Sequence, residues 1–244
     1  MSKKIAIVTG AAKGIGKAIV ARLVSDGFVV VAVDVDEESG VKLENELGKN
    51  VEFMKVNICN EIQVSELFTK VFEKHGQINA VVNNAGIIRD NMIWKMSVDD
   101  FDAVINVNLK GTWLMCREAS MIMKTQKFGR IVNIASRAWL GNRGQSNYSA
   151  SKAGVVALTR VLALELGKYN VAVNAIAPGL IDTPLTQKLE KDVLQKLIEA
   201  QPTKTMGTPG DVANTVAFLA SESTGFVTGQ TIYVDGGKSI GANM

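Results

Sequence analysis

The chain has 244 residues, 47% of them apolar, and its 27 Lys and Arg exceed its 24 Asp and Glu by a net charge of +3. One histidine (His75) and two cysteines (Cys59 and Cys116) argue against a zinc centre, which takes about three or four ligands, against a disulfide framework, and against catalysis by histidine pairs. No apolar run approaches the roughly 18 residues of a membrane span, and Thr9-Gly10 interrupts the amino-terminal one before signal-peptide length. Charges of both signs are interspersed, so neither nucleic acid nor membrane is an expected partner, and a metal-free cytoplasmic protein is.

In chain order, short β-branched runs at 5–8, 29–33, 51–56, 78–82, 130–134, 171–176 and 231–234 read as strands. They are almost continuously apolar, the pattern of strands covered on both faces. Helix-length segments begin between them near Ile15, Glu37, Glu61, Val98, Asn147, Leu185 and Pro209. This alternation predicts an α/β protein with a doubly wound, seven-stranded parallel sheet and helices on both faces. No linker, repeat or charge block divides the chain, so residues 1–244 are expected to form a single domain. The polar stretch 179–204, with Pro184 and Pro202, reads as a helical insertion or lid over a substrate site.

The first predicted strand runs into Thr9-Gly10-Ala11-Ala12-Lys13-Gly14-Ile15-Gly16 and then an amphipathic helix. Glycines at such a turn let backbone N–H groups approach an anion where the helix dipole favours negative charge. The spacing is G-x-x-x-G-x-G, which alone equally suits a plain strand-to-helix turn. Context adds to it: Asp34 ends the second strand eighteen residues past Gly16, a distance that suits a carboxylate on the ribose hydroxyls of NAD.

Tyr148 and Lys152 are spaced i, i+4 at the start of a long apolar helix, so both project from one face. That face continues through Val155, Val156 and Thr159, which predicts a buried lysine. A positive charge at about 4 Å and an effective dielectric of about 20 stabilises a phenolate by roughly 4 kcal/mol, about 3 pK units. On this reading Lys152 lowers the Tyr148 pKa from about 10 toward 7, where general acid–base catalysis works best. The alternative is a packed tyrosine beside a lysine that snorkels to solvent. Asn108 falls on the stripe set by Phe101, Val104, Ile105 and Leu109, so it is expected to be buried and hydrogen-bonded.

These motifs, with Asn83-Asn84-Ala85-Gly86, Ser136 and Pro178-Gly179, resemble the short-chain dehydrogenase/reductase family in order and spacing over the whole chain. Within it, Ala85-Gly86-Ile87-Ile88-Arg89-Asp90-Asn91, Gly144-Gln145-Ser146-Asn147-Tyr148 and Val234-Asp235-Gly236-Gly237 are most similar to the 3-oxoacyl-acyl-carrier-protein reductases. The resemblance implies a Rossmann-type fold and a catalytic tetrad of Asn108, Ser136, Tyr148 and Lys152. Ser136 would orient the substrate oxygen, and Asn108 would hold a water that relays protons through Lys152. Implied cofactor contacts are Gly10, Lys13, Gly14, Ile15, Gly16, Asp34, Asn57, Ile58, Asn84, Ala85, Gly86, Tyr148, Lys152, Pro178, Gly179, Ile181 and Thr183.

Asn57-Ile58 stands where the family usually has an aspartate for the adenine amino group, and the amide oxygen of Asn57 can still accept that hydrogen bond. Asp34 favours NAD, whereas Lys13 occupies a position where basic residues accompany NADP; the carboxylate decides for NAD because it binds the ribose hydroxyls and repels a 2′-phosphate. Trp94, Ser136 and Trp139 are candidate substrate contacts, and Arg130 and Lys168 are candidate cations at the mouth, unless simply solvated. The expected reaction moves hydride between NAD(H) and a secondary alcohol or ketone, a 3-hydroxyacyl or 3-oxoacyl thioester or a cyclic alcohol among them. The alternatives are an NADPH-dependent 3-oxoacyl-acyl-carrier-protein reductase of fatty acid synthesis and a non-catalytic dinucleotide sensor. The family is usually tetrameric, which makes a homotetramer the expected assembly.

Overall fold

The computed structural model of the chain describes residues 3–240. Strands and helices alternate: β1 (Lys4–Thr9), α1 (Gly14–Ser25), β2 (Phe28–Asp34), α2 (Glu37–Leu47), β3 (Val51–Lys55), α3 (Glu61–His75) and β4 (Ala80–Asn83). They continue through α4 (Val98–Ile105), α5 (Thr112–Gln126), β5 (Gly129–Ile134), α6 (Ser146–Leu166), β6 (Val171–Pro178), α7 (Lys191–Glu199), α8 (Pro209–Ala220) and β7 (Thr231–Val234). All seven strands expected from sequence form, in one sheet of order β3-β2-β1-β4-β5-β6-β7 with every pairing parallel. The winding reverses between β1 and β4, so the crevice beyond their carboxyl ends is the place where such a sheet takes a ligand.

Successive residues of a strand face opposite sides, and the core divides accordingly. Ile5, Ile7, Val29 and Val31 pack under α3, α5 and α6 with Phe68, Leu114 and Met115. Ala6, Val8, Val30 and Ala32 pack under α1, α2 and α8 with Ile19, Leu23, Leu43 and Val216. The helices on both faces explain why the strands are not alternating in sequence.

Side chains fix where several helices begin. Asp36 accepts from Ser39 N at α2, Asn60 from Ile62 N and Gln63 N at α3, and Thr208 forms a capping box with Asp211 at α8. Each such cap supplies about 1 kcal/mol. Helix α1 has no side-chain cap and no acidic residue in its first turn, which leaves its N–H groups open to an anion.

The sequence predicts one helical segment from Val98 onward, whereas the structure has two. They are joined by a π-helical stretch, Asn106–Gly111, whose wider turns hold the fully buried Asn108. Arg130 is neither a cation at the site nor solvated: it is 2% exposed, at the amino ends of the strands. Its guanidinium donates to the carbonyls of Gly129, Asn170, Ser221 and Glu222 at 2.8–3.2 Å and lies 4.6 Å from the Phe128 ring. Lys168 follows α6 beside the Tyr169 ring, also at the end of the sheet away from the glycine turn.

Candidate active site

Gly10 carries a φ of +61°, and a Cβ there would stand 2.8 Å from Ala85 Cα; one on Gly16 would collide with the Gly10 carbonyl oxygen. The turn is tied to the end of β4 by Asn84, whose Nδ2 donates to Thr9 O and Gly10 O at 3.1 and 2.9 Å. The Thr9 hydroxyl accepts from Asn84 N and Ala85 N. Thr9 was absent from the expected contacts, because its role is to join two segments distant in sequence.

Asp34 is held in place by three backbone donors: Ala12 N at 3.0 Å to one oxygen, and Val35 N at 2.8 Å and Asp36 N at 3.1 Å to the other. Lys13 pairs with a second carboxylate, that of Asp36. Its ammonium lies 2.6 Å from Asp36 Oδ2, and that hydrogen bond, with further ones from Ser39, lowers the Asp36 carboxyl to about 2. Two carboxylates therefore stand at the end of β2, with the lysine engaged by one of them.

A cavity of about 830 Å³ runs along the glycine turn, lined by Gly10, Lys13, Asp34, Asn57, Ile58 and Ala85 among others. It adjoins a second, of about 890 Å³, that holds Ser136, Tyr148, Lys152, Pro178, Gly179 and Ile181. Ile15, Asn84, Gly86, Ile87, Thr183 and Leu185 line both, so the two are halves of one cleft. Asn57 Oδ1 already accepts from Cys59 N at 3.0 Å, which leaves one lone pair for a ligand. A further concavity, of about 860 Å³ over β7, includes none of Asn108, Ser136, Tyr148 and Lys152.

In the second half, Ser136 leaves β5 in an extended conformation, and its Oγ accepts from Ala138 N at 3.1 Å. The serine thus caps local backbone and also hydrogen-bonds toward the Tyr148 side chain, where it favours the phenolate. Lys152 is 4% exposed; its Nζ donates to Ile134 O at 2.7 Å and lies 5.7 Å from the centre of the Tyr148 ring. Val155, Val156 and Thr159 are buried with it, as the helical spacing predicts. Asn108 accepts from Ile87 N at 2.8 Å and donates to Ile87 O and Ser151 Oγ at 3.0 and 3.2 Å. Its amide is thus spent on bracing the segment after β4, while its backbone carbonyl accepts from the Thr112 hydroxyl at 2.8 Å.

The expected lowering of the Tyr148 pKa is absent from the protein alone. Burial pushes the phenol up, and the hydrogen bond from Ser136 opposes this only in part. Burial also brings the Lys152 ammonium down to about 8. The physical reason is that desolvation penalises both charged forms, while the ammonium is turned onto the Ile134 carbonyl.

Neither tryptophan lines the cleft. Trp94 is 73% exposed, and Trp139 packs against the cluster of Ala135, Val155, Val156 and Ala175. The side chains that do line it include Arg89, Arg137, Arg143, Gln145 and Lys238, together with Leu185 and Leu197 from 179–204. Gln145 lies in the segment Gly144-Gln145-Ser146-Asn147-Tyr148, whose proximity to Tyr148 was the one available signal. Among the described residues no group of His, Cys, Asp and Glu is arranged to hold a metal ion.

A family model described as "Enoyl-(Acyl carrier protein) reductase" matches residues 10–239. The chain belongs to the short-chain dehydrogenase/reductase family. Among its short-chain dehydrogenase/reductase relatives is a subunit of (2S)-[(R)-hydroxy(phenyl)methyl]succinyl-CoA dehydrogenase from Thauera aromatica, 44% identical over 98% of both chains. The 3-oxoacyl-[acyl-carrier-protein] reductase of Thermotoga maritima is 42% identical over 97% of this chain and 98% of its own. Levodione reductase superposes with a TM-score of 0.93 at 32% identity, covering 96% of this chain and 97% of that one. As a member of this family, the protein is an oxidoreductase that acts on alcohol or keto groups with a nicotinamide dinucleotide. The residues present fit such a group: a backbone cradle that no Cβ may fill, an uncapped helix start, and a continuous cleft from Asp34 to Tyr148.

Proposed function

We propose that the protein transfers hydride between NAD(H), in preference to NADP(H), and a secondary alcohol or ketone borne on an acyl thioester or a cyclic skeleton. The observation that carries the reading is the continuity of the cleft, with Asp34 at one end and Ser136, Tyr148 and Lys152 at the other. The contacts expected from sequence, Gly10 to Thr183, are the residues that would hold the dinucleotide along it.

When bound, a nicotinamide ring supplies the hydride acceptor or donor. The chain's own residues handle the oxygen and its proton. Ser136 holds the reacting oxygen by its hydroxyl and stabilises charge that develops there. Tyr148 gives the proton in reduction and takes it in oxidation. Lys152, fixed by the Ile134 carbonyl, provides positive charge below its pKa, and Asn108 braces the loop after Gly86 through Ile87.

The preference for NAD rests on Asp34, oriented by three N–H groups, and on Lys13 being paired with Asp36. A second reading, an NADPH-dependent 3-oxoacyl-acyl-carrier-protein reductase, draws support from the 42% identical relative. Comparing kcat/KM with NADH and NADPH on 3-oxoacyl thioesters separates the two. The NAD reading expects NADH to be favoured and Asp34→Ala to erode that preference by tenfold or more, since each ~1.4 kcal/mol of lost phosphate repulsion is a factor of ten. An unchanged ratio in the variant would sink it.

The same reading includes a single domain over residues 1–244, a cytoplasmic location and a homotetramer. No helix among the described residues is long and apolar enough to cross a membrane. Trp113 and Met121 on α5, with Val161 and Leu164 on α6, expose apolar surface of the kind that subunits bury.

A further inference from the structure

The half of the cleft that holds Tyr148 is lined by the cations Arg89, Arg137, Arg143, Lys152 and Lys238, and by no carboxylate. Three of these already have partners: Lys152 on Ile134 O, Lys238 on Ala200 O at 2.8 Å, and Arg89 at 3.8 Å from Asp100. Arg137 and Arg143 have none among the described residues, and Arg137 Nε is buried without an acceptor. A buried donor left unpaired is costly, and an anionic oxygen within hydrogen-bond reach satisfies it.

Both arginines stand on the loop between β5 and α6, Arg137 directly after Ser136 and Arg143 five residues before Tyr148. The carboxylate of Asp90 is engaged by Gln145, whose Nε2 donates to Asp90 Oδ2 at 2.8 Å and whose Oε1 accepts from Asn142 Nδ2 at 2.9 Å. Leu180, Leu185 and Leu197 line the same half of the cleft, so its wall carries apolar and cationic side chains together. Such a cleft suits a molecule with an apolar body and a negative group.

We propose that the substrate is an anionic alcohol or ketone whose carboxylate or phosphate oxygens are held by Arg137 and Arg143. This rests on the function proposed above and specifies its substrate class. The negative group is either a carboxylate on the acyl portion or the phosphates of a coenzyme A thioester, and the same chemistry recognises both.

The test compares kcat/KM, with NAD, for one 3-hydroxyacyl group on N-acetylcysteamine, for the same thioester carrying a terminal carboxylate, and for the same acyl group on coenzyme A. Wild type is expected to favour at least one anionic form over the neutral one by tenfold or more. Preference for the carboxylated thioester identifies the acyl acid as the source, and preference for the coenzyme A ester identifies phosphate. In Arg143→Gln and Arg137→Gln the anionic-to-neutral ratio should fall toward unity, while Arg143→Lys keeps part of it. Equal use of all three substrates by wild type, or a ratio unmoved by the glutamine variants, overturns the proposal. Calorimetric titration of the protein with glutarate and with inorganic phosphate, against chloride at equal ionic strength, reads the anion site without turnover. If no thioester is oxidised, the reaction reading fails; binding of either anion lost in both glutamine variants would still uphold the site, and no binding would overturn it.

Discussion

Tyr148 and Lys152 are moved in opposite directions by the same burial, the phenol up and the ammonium down to about 8. Oxidation needs Tyr148 without its proton, so kcat/KM for the alcohol is expected to climb with pH across the neutral range, and reduction to be favoured on the acid side. A pH profile in both directions checks this; oxidation that is flat from about pH 6 to about pH 9 would contradict it. Tyr148→Phe should lower kcat/KM by about 10²- to 10⁴-fold while NADH binding, followed by fluorescence, persists; a dinucleotide sensor would show no turnover to lose. Lys152 also sets a stability trend. Between about 8 and its ordinary value of 10.5 the unfolded chain holds a proton that the folded one has released, so stability rises with pH through that window. Lys152→Met should abolish the rise, as urea midpoints at about pH 7 and about pH 10 would show. The i, i+4 spacing already placed these two side chains together. The direction of the Tyr148 shift is not legible in that spacing, because it is set first by burial of the phenol among segments distant in sequence.

At the scale of elements, the passage from β1 to α1 is the part most fully written in the local sequence. Its glycines answer to backbone contacts with Ala85 and with the turn itself. Gly16→Ala would press a methyl onto the Gly10 carbonyl, so a cost of about 1–3 kcal/mol in urea melts and a marked loss of NADH affinity are expected. The link from α4 to α5 was less legible: the apolar stripe predicted a buried Asn108, but not the π-helical turns that carry it, where Gly111 fits against Ile58. Arg130 was misread for a related reason. As a lone cation it looks solvated, yet the carbonyls it binds come from Asn170, Ser221 and Glu222, 40 to 92 residues away. Arg130→Met should destabilise the fold by on the order of 3 kcal/mol, since it leaves buried carbonyls without donors.

For the whole molecule, the exposed apolar side chains of α5 and α6 bear on assembly. Leu164 is 86% exposed in the single chain, and Val161 and Trp113 are about half as exposed. Light scattering is expected to give four times the chain mass of 26.2 kDa, and Leu164→Asp to lower that mass without unfolding the chain. A monomer in wild type would remove the assembly from the reading. The cleft is also a property of the whole. Its walls come from the ends of β1, β2, β4, β5 and β6 and from the segment that holds Leu185 and Leu197.

The α/β alternation, the seven parallel strands, the glycine turn after β1 and the spacing of Tyr148 and Lys152 can all be read from the chain alone. Each of these follows from periodicity or from contacts within one helical turn, which the chain encodes locally. It takes the folded chain to show that Lys13 pairs with Asp36, that Trp139 packs while Trp94 stays in solvent, and that Arg137 and Arg143 line the cleft without partners among the described residues. Those outcomes depend on which loops meet across the carboxyl ends of the strands, and loop encounters between segments distant in sequence leave no period to read.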